Sequence, residues 1–160
     1  MLVYLAIYVA MTVGSFVAVL MLKDANGEQL EGISDLAGLS RTRPALALCL
    51  AMLMFSLAGI PPLFGFWGKF VVFQAAVRAD LVVLAAIGIA ASVIGAYYYI
   101  KIVKVMYFDD PADTVRGPSD WAHWSLLGIS AAAMSPLGYL LTGWLGNLAD
   151  GAAAALLPFA

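Results

Sequence analysis

Ala58-Gly59-Ile60-Pro61-Pro62-Leu63-Phe64-Gly65-Phe66-Trp67-Gly68-Lys69 is the stretch whose reading decides the fold. Two consecutive prolines remove two backbone donors, and each pushes the residue before it out of helical angles. Gly59, Gly65 and Gly68 loosen the backbone further. A helix must break here, although the sequence on both sides is apolar. Either residues 59–65 form a turn outside a membrane between two short crossings, or they are an unwound stretch inside one crossing.

The rest of the chain shows that a membrane is the right setting. Hydrophobic residues make up 64% of the 160 positions and charged residues 11%, against roughly 45–50% and 25% in a soluble domain. Eight basic and ten acidic residues are too few to cover a water-facing surface. This argues against a soluble enzyme, a disordered chain or a disulfide scaffold, and Cys49 has no partner for an intrachain bridge. A net charge of −2 gives no basis for binding nucleic acid. The charges cluster in residues 23–43, 69–80 and 101–120, with Asp150 alone beyond. Residues 1–22, 44–68, 81–100 and 121–149 contain none. Each of these is long enough for the ~20 apolar residues that cross a bilayer. Residues 1–22 lack the basic leading region and cleavage site of a signal peptide.

The fold expected is therefore an all-α integral membrane protein. It is one membrane domain of four spans: about 2–22, 44–58 plus 66–77, 81–107 and 121–145. Ala6, Ala10, Gly14 and Ala18 form a smooth face on the first span, and Gly88, Ala91, Ser92, Gly95 and Ala96 form another on the third. Leu30, Ile33, Leu36 and Leu39 recur every three residues in the polar loop, as in a short interfacial helix or a loop with apolar anchors. Tyr97, Tyr98, Tyr99 and Tyr107, with Lys101 and Lys104, suggest an interfacial belt, and Trp121, Trp124 and Trp144 further anchors. Pro136 should kink the fourth span. The tail 151–160 has no assigned place.

Basic residues choose between the two readings of the break. With one discontinuous crossing, Lys23, Arg41, Arg43, Lys101, Lys104 and Arg116 share a side, and only Arg78 lies opposite. With two crossings the bias disappears. The positive-inside rule therefore favours one broken helix, with both chain ends on the non-cytoplasmic side.

A break at membrane depth exposes carbonyls and N–H groups that lipid cannot satisfy, so it must face protein or a water-filled cavity. Lys69 stands beside that opening. A lysine charge at mid-membrane costs about 3 kcal/mol on insertion scales. The carbonyls at a helix end stabilise an ammonium, whereas burial favours the neutral amine. A lysine held between these terms can take up and release a proton, or it can serve only to satisfy the broken backbone. His123, beside Trp121 and Trp124, reads as interfacial. Arg78 and Asp80 read as a solvated turn, and Asp150 as a residue of the far interface. Met52, Met54 and the other methionines are packing residues. The sequence holds no histidine–cysteine metal cluster, phosphate loop or nucleophile–base pair.

The break motif through Phe70, the later Ala96-Tyr97-Tyr98-Tyr99-Ile100-Lys101-Ile102-Val103-Lys104-Val105-Met106-Tyr107-Phe108 and the opening Tyr4-Leu5-Ala6-Ile7-Tyr8-Val9-Ala10-Met11 carry a resemblance. The chain resembles the antiporter-like membrane subunits of proton-pumping NADH:quinone oxidoreductase (respiratory complex I), most closely the subunit N family, over residues 1–108. The resemblance implies a subunit of about fourteen transmembrane helices in two related halves, each with a broken helix. This chain is similar to the last four, a C-terminal portion. Lys69 falls on the lysine of the second broken helix, which the family uses as the terminal station of a lateral proton relay. The other relay residues lie on earlier helices. The resemblance further implies a multi-pass protein of the bacterial inner (plasma) membrane with no cofactor in this chain. NADH, flavin, iron–sulfur clusters and quinone would act in other subunits of the complex. Its partners would be the upstream helices, the neighbouring membrane subunits and the lipid bilayer. Two other readings stay open: a segment of a multisubunit cation/proton antiporter, and a structural membrane piece in which Lys69 plugs the broken backbone.

Overall fold

A computed structural model describes residues 2–24, 26–30, 32–111 and 120–156. Met1, Arg116 of the charge count and the last four residues of the tail lie outside the described residues. Among the described residues the regular structure is helical, apart from one isolated antiparallel bridge between Lys23 and Gln29.

Helix α1 (Leu2–Leu20) leads into the polar loop. There the Asp24 carboxylate accepts from the N–H groups of Asn26 and Glu28 at 2.8 Å each. The short helix expected around Leu30 to Leu39 is two single turns, a 3-10 turn (Ile33–Leu36) and α2 (Leu39–Thr42). Leu36 and Leu39 are buried and Ile33 is exposed. Helix α3 (Pro44–Ala58) starts on a proline, whose missing N–H costs nothing at a first helical position. Helices α4 (Phe64–Arg78) and α5 (Val82–Phe108) follow. The chain ends in α6 (Trp121–Met134), a 3-10 segment (Pro136–Leu141) and α7 (Thr142–Leu156). The tail thus begins as the end of α7.

The two helices flanking the break lie in succession, not side by side. Helix α1, about 28 Å long at ~1.5 Å per residue, serves as a ruler. Arg43, at the start of α3, donates to the Met21 carbonyl at 3.3 Å. Leu53 meets Gly14, and Gly68 of α4 meets Ile7 and Tyr4. Progress along α3 and then α4 is therefore steady progress down α1. Helix α5 gives the same order from the other side. The Gly38 N–H donates to the Val105 carbonyl, Lys69 shares a cavity with Ser92 and Gly95, and Phe73 meets Gly88. In a hairpin of two crossings, α4 would have returned to the level of Leu53. The loop before α3 and the end of α5 also meet, through that Gly38 bond and an ion pair of Arg41 with Asp110 at 3.6 Å. Arg43 lies 5.9 Å from the centre of the Trp124 ring, which brings the start of α6 to the same end.

Helix α3 is apolar all round, and it sits between α1, α5 and α6 with Leu46, Leu50 and Leu53 fully buried. By length and composition α1 and α5 are able to cross a membrane individually, and α6 with the bent segment after it adds a third candidate. Helix α3 alone, at about 22 Å, falls short of a ~30 Å hydrocarbon core.

Three expectations need correction. The fourth span is not one kinked helix. Helix α6 stops at Met134, Ser135 is extended with ψ 175°, and the segment beyond turns by 74°. Pro136 disfavours helical angles at Ser135, and the Ser135 hydroxyl accepts from the Leu137 N–H and donates to the Ala132 carbonyl, stabilising the new direction. On α1 the buried stripe is Ile7, Met11, Gly14, Val17 and Ala18, while Ala6 is exposed. Smallness is needed only where another helix crosses closely: a Cβ on Gly14 would lie 2.6 Å from the Ser130 Cβ of α6. On α5, the third expected span, Gly88, Ser92, Gly95 and Ala96 are half-buried but Ala91 is exposed, because α4 covers only a narrow strip of α5.

Candidate functional site

An α-helix leaves its last four carbonyls without intrahelical partners, and at the end of α3 these belong to Phe55, Ser56, Leu57 and Ala58. Gly59 adopts the left-handed conformation at φ 82°, open to glycine without the penalty that a Cβ brings. This turn sends the Gly59 N–H to the Phe55 and Ser56 carbonyls and the Ile60 N–H to Phe55, all at 3.0–3.1 Å. The remaining two carbonyls are taken by a side chain from the far half of the break. Lys69 Nζ donates to Leu57 O at 2.8 Å and to Ala58 O at 3.4 Å. All four carbonyls of the broken helix end therefore have partners.

The start of α4 is held as tightly. The peptide Pro61-Pro62 is cis, and the tight turn closes with the Leu63 N–H donating to Ile60 O at 3.0 Å. The Gly65 N–H then donates to the fully buried Ser56 hydroxyl at 2.9 Å. Gly65 packs against the Ser56 carbonyl so closely that a Cβ has no space. Phe64, fully buried, stacks on Trp67 at 5.3 Å and meets Tyr139 edge-on at 5.5 Å, tying the break to the 3-10 segment after α6.

Lys69 is half-buried and borders two cavities. One, about 270 Å³, carries Tyr4, Tyr8, Ser92 and Tyr99. The other is a largely apolar groove of about 600 Å³ between α4 and α5, in which Gln74, Arg78 and Ser92 are the further polar residues. Lys69 thus lies between the two. Pro61 and Pro62 are exposed.

Gly59, Pro61, Pro62, Gly65 and Lys69 therefore converge on one joint, as their spacing suggested. The sequence reading missed Ser56, whose signal is a hydroxyl inside an otherwise apolar helix three residues before the αL glycine. It also placed Tyr99 in a belt. Tyr97 and Tyr98 are exposed, but Tyr99 is half-buried and lines the smaller cavity beside Lys69. The other candidates stay apart from this joint. His123 Nδ1 lies 3.2 Å from Asp120 at the start of α6, Arg78 and Asp80 are exposed at the α4–α5 turn, and Asp150 is exposed on α7.

Residues 1–95 match the family described as "NADH:quinone oxidoreductase/Mrp antiporter, TM". Over 156 residues, 98% of the chain, the sequence is 73% identical to NADH-quinone oxidoreductase subunit N of Erythrobacter litoralis. Over 138 residues, 86% of the chain, it is 57% identical to the subunit N of Rhizorhabdus wittichii. The stretches matched are 32% and 29% of those proteins, so the chain spans about a third of the length of the curated relatives. A solved structure of respiratory complex I from Thermus thermophilus with bound aureothin superposes with a TM-score of 0.75 at 30% identity. That match covers 88% of this chain and 32% of the solved one. The chain belongs to the NADH:quinone oxidoreductase/Mrp antiporter family of transmembrane proteins.

Proposed function

We propose that this chain, as a member of that family, is the part of a membrane subunit of NADH:quinone oxidoreductase in which a proton passes a broken helix at Lys69. The observation that carries the reading is the double hold on Lys69 Nζ by the Leu57 and Ala58 carbonyls, between two cavities. A neutral amine keeps two N–H groups, enough for both carbonyls, and a lone pair free to accept a proton. Lys69 can therefore change charge without undoing the joint. The hydroxyls of Tyr4, Tyr8 and Tyr99 suit proton delivery. The groove past Gln74 to Arg78 leads toward the α4–α5 turn and suits release. NADH, flavin, iron–sulfur clusters and quinone belong to other subunits, and electron transfer reaches this chain through electrostatics and conformation. Upstream helices and neighbouring membrane subunits cover Pro61, Pro62 and the outward faces of α1 and of the part of α5 before Tyr97.

Inverted vesicles from bacteria lacking this coding region should lose proton uptake driven by NADH with quinone as acceptor, and regain it on complementation. Loss confined to cation-driven proton exchange, with NADH-driven uptake intact, would instead identify a multisubunit cation/proton antiporter.

The membrane arrangement that suits this function is one domain of four crossings in the bacterial inner membrane: α1, α3 with α4, α5, and α6 with its continuation. The polar loops are cytoplasmic and both chain ends are not. The meeting of Gly38 with Val105 and of Arg41 with Asp110 supports placing both loops on one side. With Cys49 replaced by alanine, Glu28→Cys should react with an impermeant maleimide only in inverted vesicles, and Asp80→Cys only in right-side-out vesicles. Labelling of both from the same side would mean two separate crossings at the break.

A further inference from the structure

A second groove, of about 460 Å³, runs along the last three turns of α5 on the side away from Lys69. Its walls are apolar and aromatic, among them Phe55, Tyr97, Ile100 and Phe108, and Lys101 and Lys104 line it as well. Both lysines are exposed and lie three residues apart, so they share a helix face. From Tyr97 to Phe108 the helix rises about 16 Å, close to half of a ~30 Å hydrocarbon core. The upper end of the groove is at the membrane surface, because Val105 there meets Gly38 of the polar loop. Beyond the helix end Asp110 is engaged by Arg41, and Asp109 stands in extended backbone.

We propose that this groove holds one anionic phospholipid of the bilayer, its acyl chain along Tyr97, Ile100 and Phe55 and its phosphate between Lys101 and Lys104. An apolar trough with two exposed cations along its wall, in the half of α5 that ends at the membrane surface, has the charge and apolar lining suited to that ligand. Lysines near a bilayer surface attract anionic lipid in preference to zwitterionic lipid. The inference uses the membrane placement given above, but not its sidedness. Reversed topology would move the site to the other leaflet and leave binding unchanged, so failure of one is distinguishable from failure of the other.

The test uses the purified complete complex in phosphatidylcholine nanodiscs, with phosphatidylglycerol or phosphatidylcholine carrying a photoactivatable acyl chain. Phosphatidylglycerol should label peptides containing Phe55, Tyr97 or Ile100 in preference to phosphatidylcholine by about fivefold or more. The preference should vanish in K101Q/K104Q and persist in K101R/K104R. Equal labelling by the two lipids, or an unchanged preference in K101Q/K104Q, overturns the proposal. So does the absence of label from these peptides with either lipid. If the glutamine variant fails to assemble, the wild-type ratio decides alone.

Discussion

With Lys69 replaced by arginine, the complex should assemble at near wild-type levels and lose proton pumping. A guanidinium has five N–H donors and satisfies the Leu57 and Ala58 carbonyls that Lys69 now holds, so the joint between α3 and α4 survives. It stays charged when buried and cannot release its proton. Proton transfer through this subunit should fall by an order of magnitude or more, since a positioned proton-transfer group contributes about 10²-fold or more. Coupled NADH oxidation should fall with it. Lys69→Ala is expected to fail in both respects. It removes the proton carrier and leaves two carbonyls at membrane depth without partners, at about 1–3 kcal/mol each. Protons per electron and the amount of assembled complex, measured on both variants, separate chemistry from scaffolding. A fully assembled Lys69→Arg complex pumping at the normal rate would end the relay role and leave Lys69 as a backbone plug.

The second large effect is expected at Gly65, where the damage is steric. A methyl group there collides with the Ser56 carbonyl and lies 2.6 Å from its hydroxyl oxygen. A backbone carbonyl cannot swing aside as a flexible side chain can, so α4 must separate from the end of α3. The Gly65–Ser56 hydrogen bond is then lost, and Lys69 is drawn away from its two carbonyls. Overpacking a close contact costs about 1–3 kcal/mol and occasionally more, and here the broken hydrogen bonds add to it. Gly65→Ala should therefore leave little assembled complex on native gels. Adding Ser56→Ala should not rescue it, because the obstructing carbonyl belongs to the backbone. Gly128→Ala, where a Cβ meets nothing within 4 Å, should assemble normally. Wild-type amounts of a Gly65→Ala complex would contradict this account of the joint.

Much of this joint was legible before any coordinates. Pro61 and Pro62 cannot continue a helix, the glycines around them loosen the backbone, and a lysine so close to an apolar break needed a reason. The distribution of Lys and Arg also favoured successive halves over a hairpin, and the order of contacts along α1 and α5 agrees with it. Ser56 and Tyr99 were not legible in the same way. Each is significant because of what stands opposite, Gly65 in one case and the cavity beside Lys69 in the other. One hydroxyl in an apolar run does not announce its partner. The fourth span was misread because a proline predicts a disturbance without fixing its angle. The 74° turn depends on the Ser135 hydroxyl bonding both ways and on Gly138, packed against Phe64, which lies on a different helix.

The sequence by itself determined that the chain is helical, that it belongs in a membrane, where its helix breaks, and which charged residue stands at the break. These follow from backbone chemistry and from the cost of placing charge in hydrocarbon, both local properties. Only the tertiary structure decided which faces are buried, that Lys69 completes the carbonyls of α3, and that Gly65 must have no side chain. The reason is physical. In water an apolar stripe marks the core, whereas in lipid the outward face is as apolar as the inward one. Hydrophobic pattern therefore cannot distinguish Ala6 from Gly14, and contact between helices far apart in sequence has to decide.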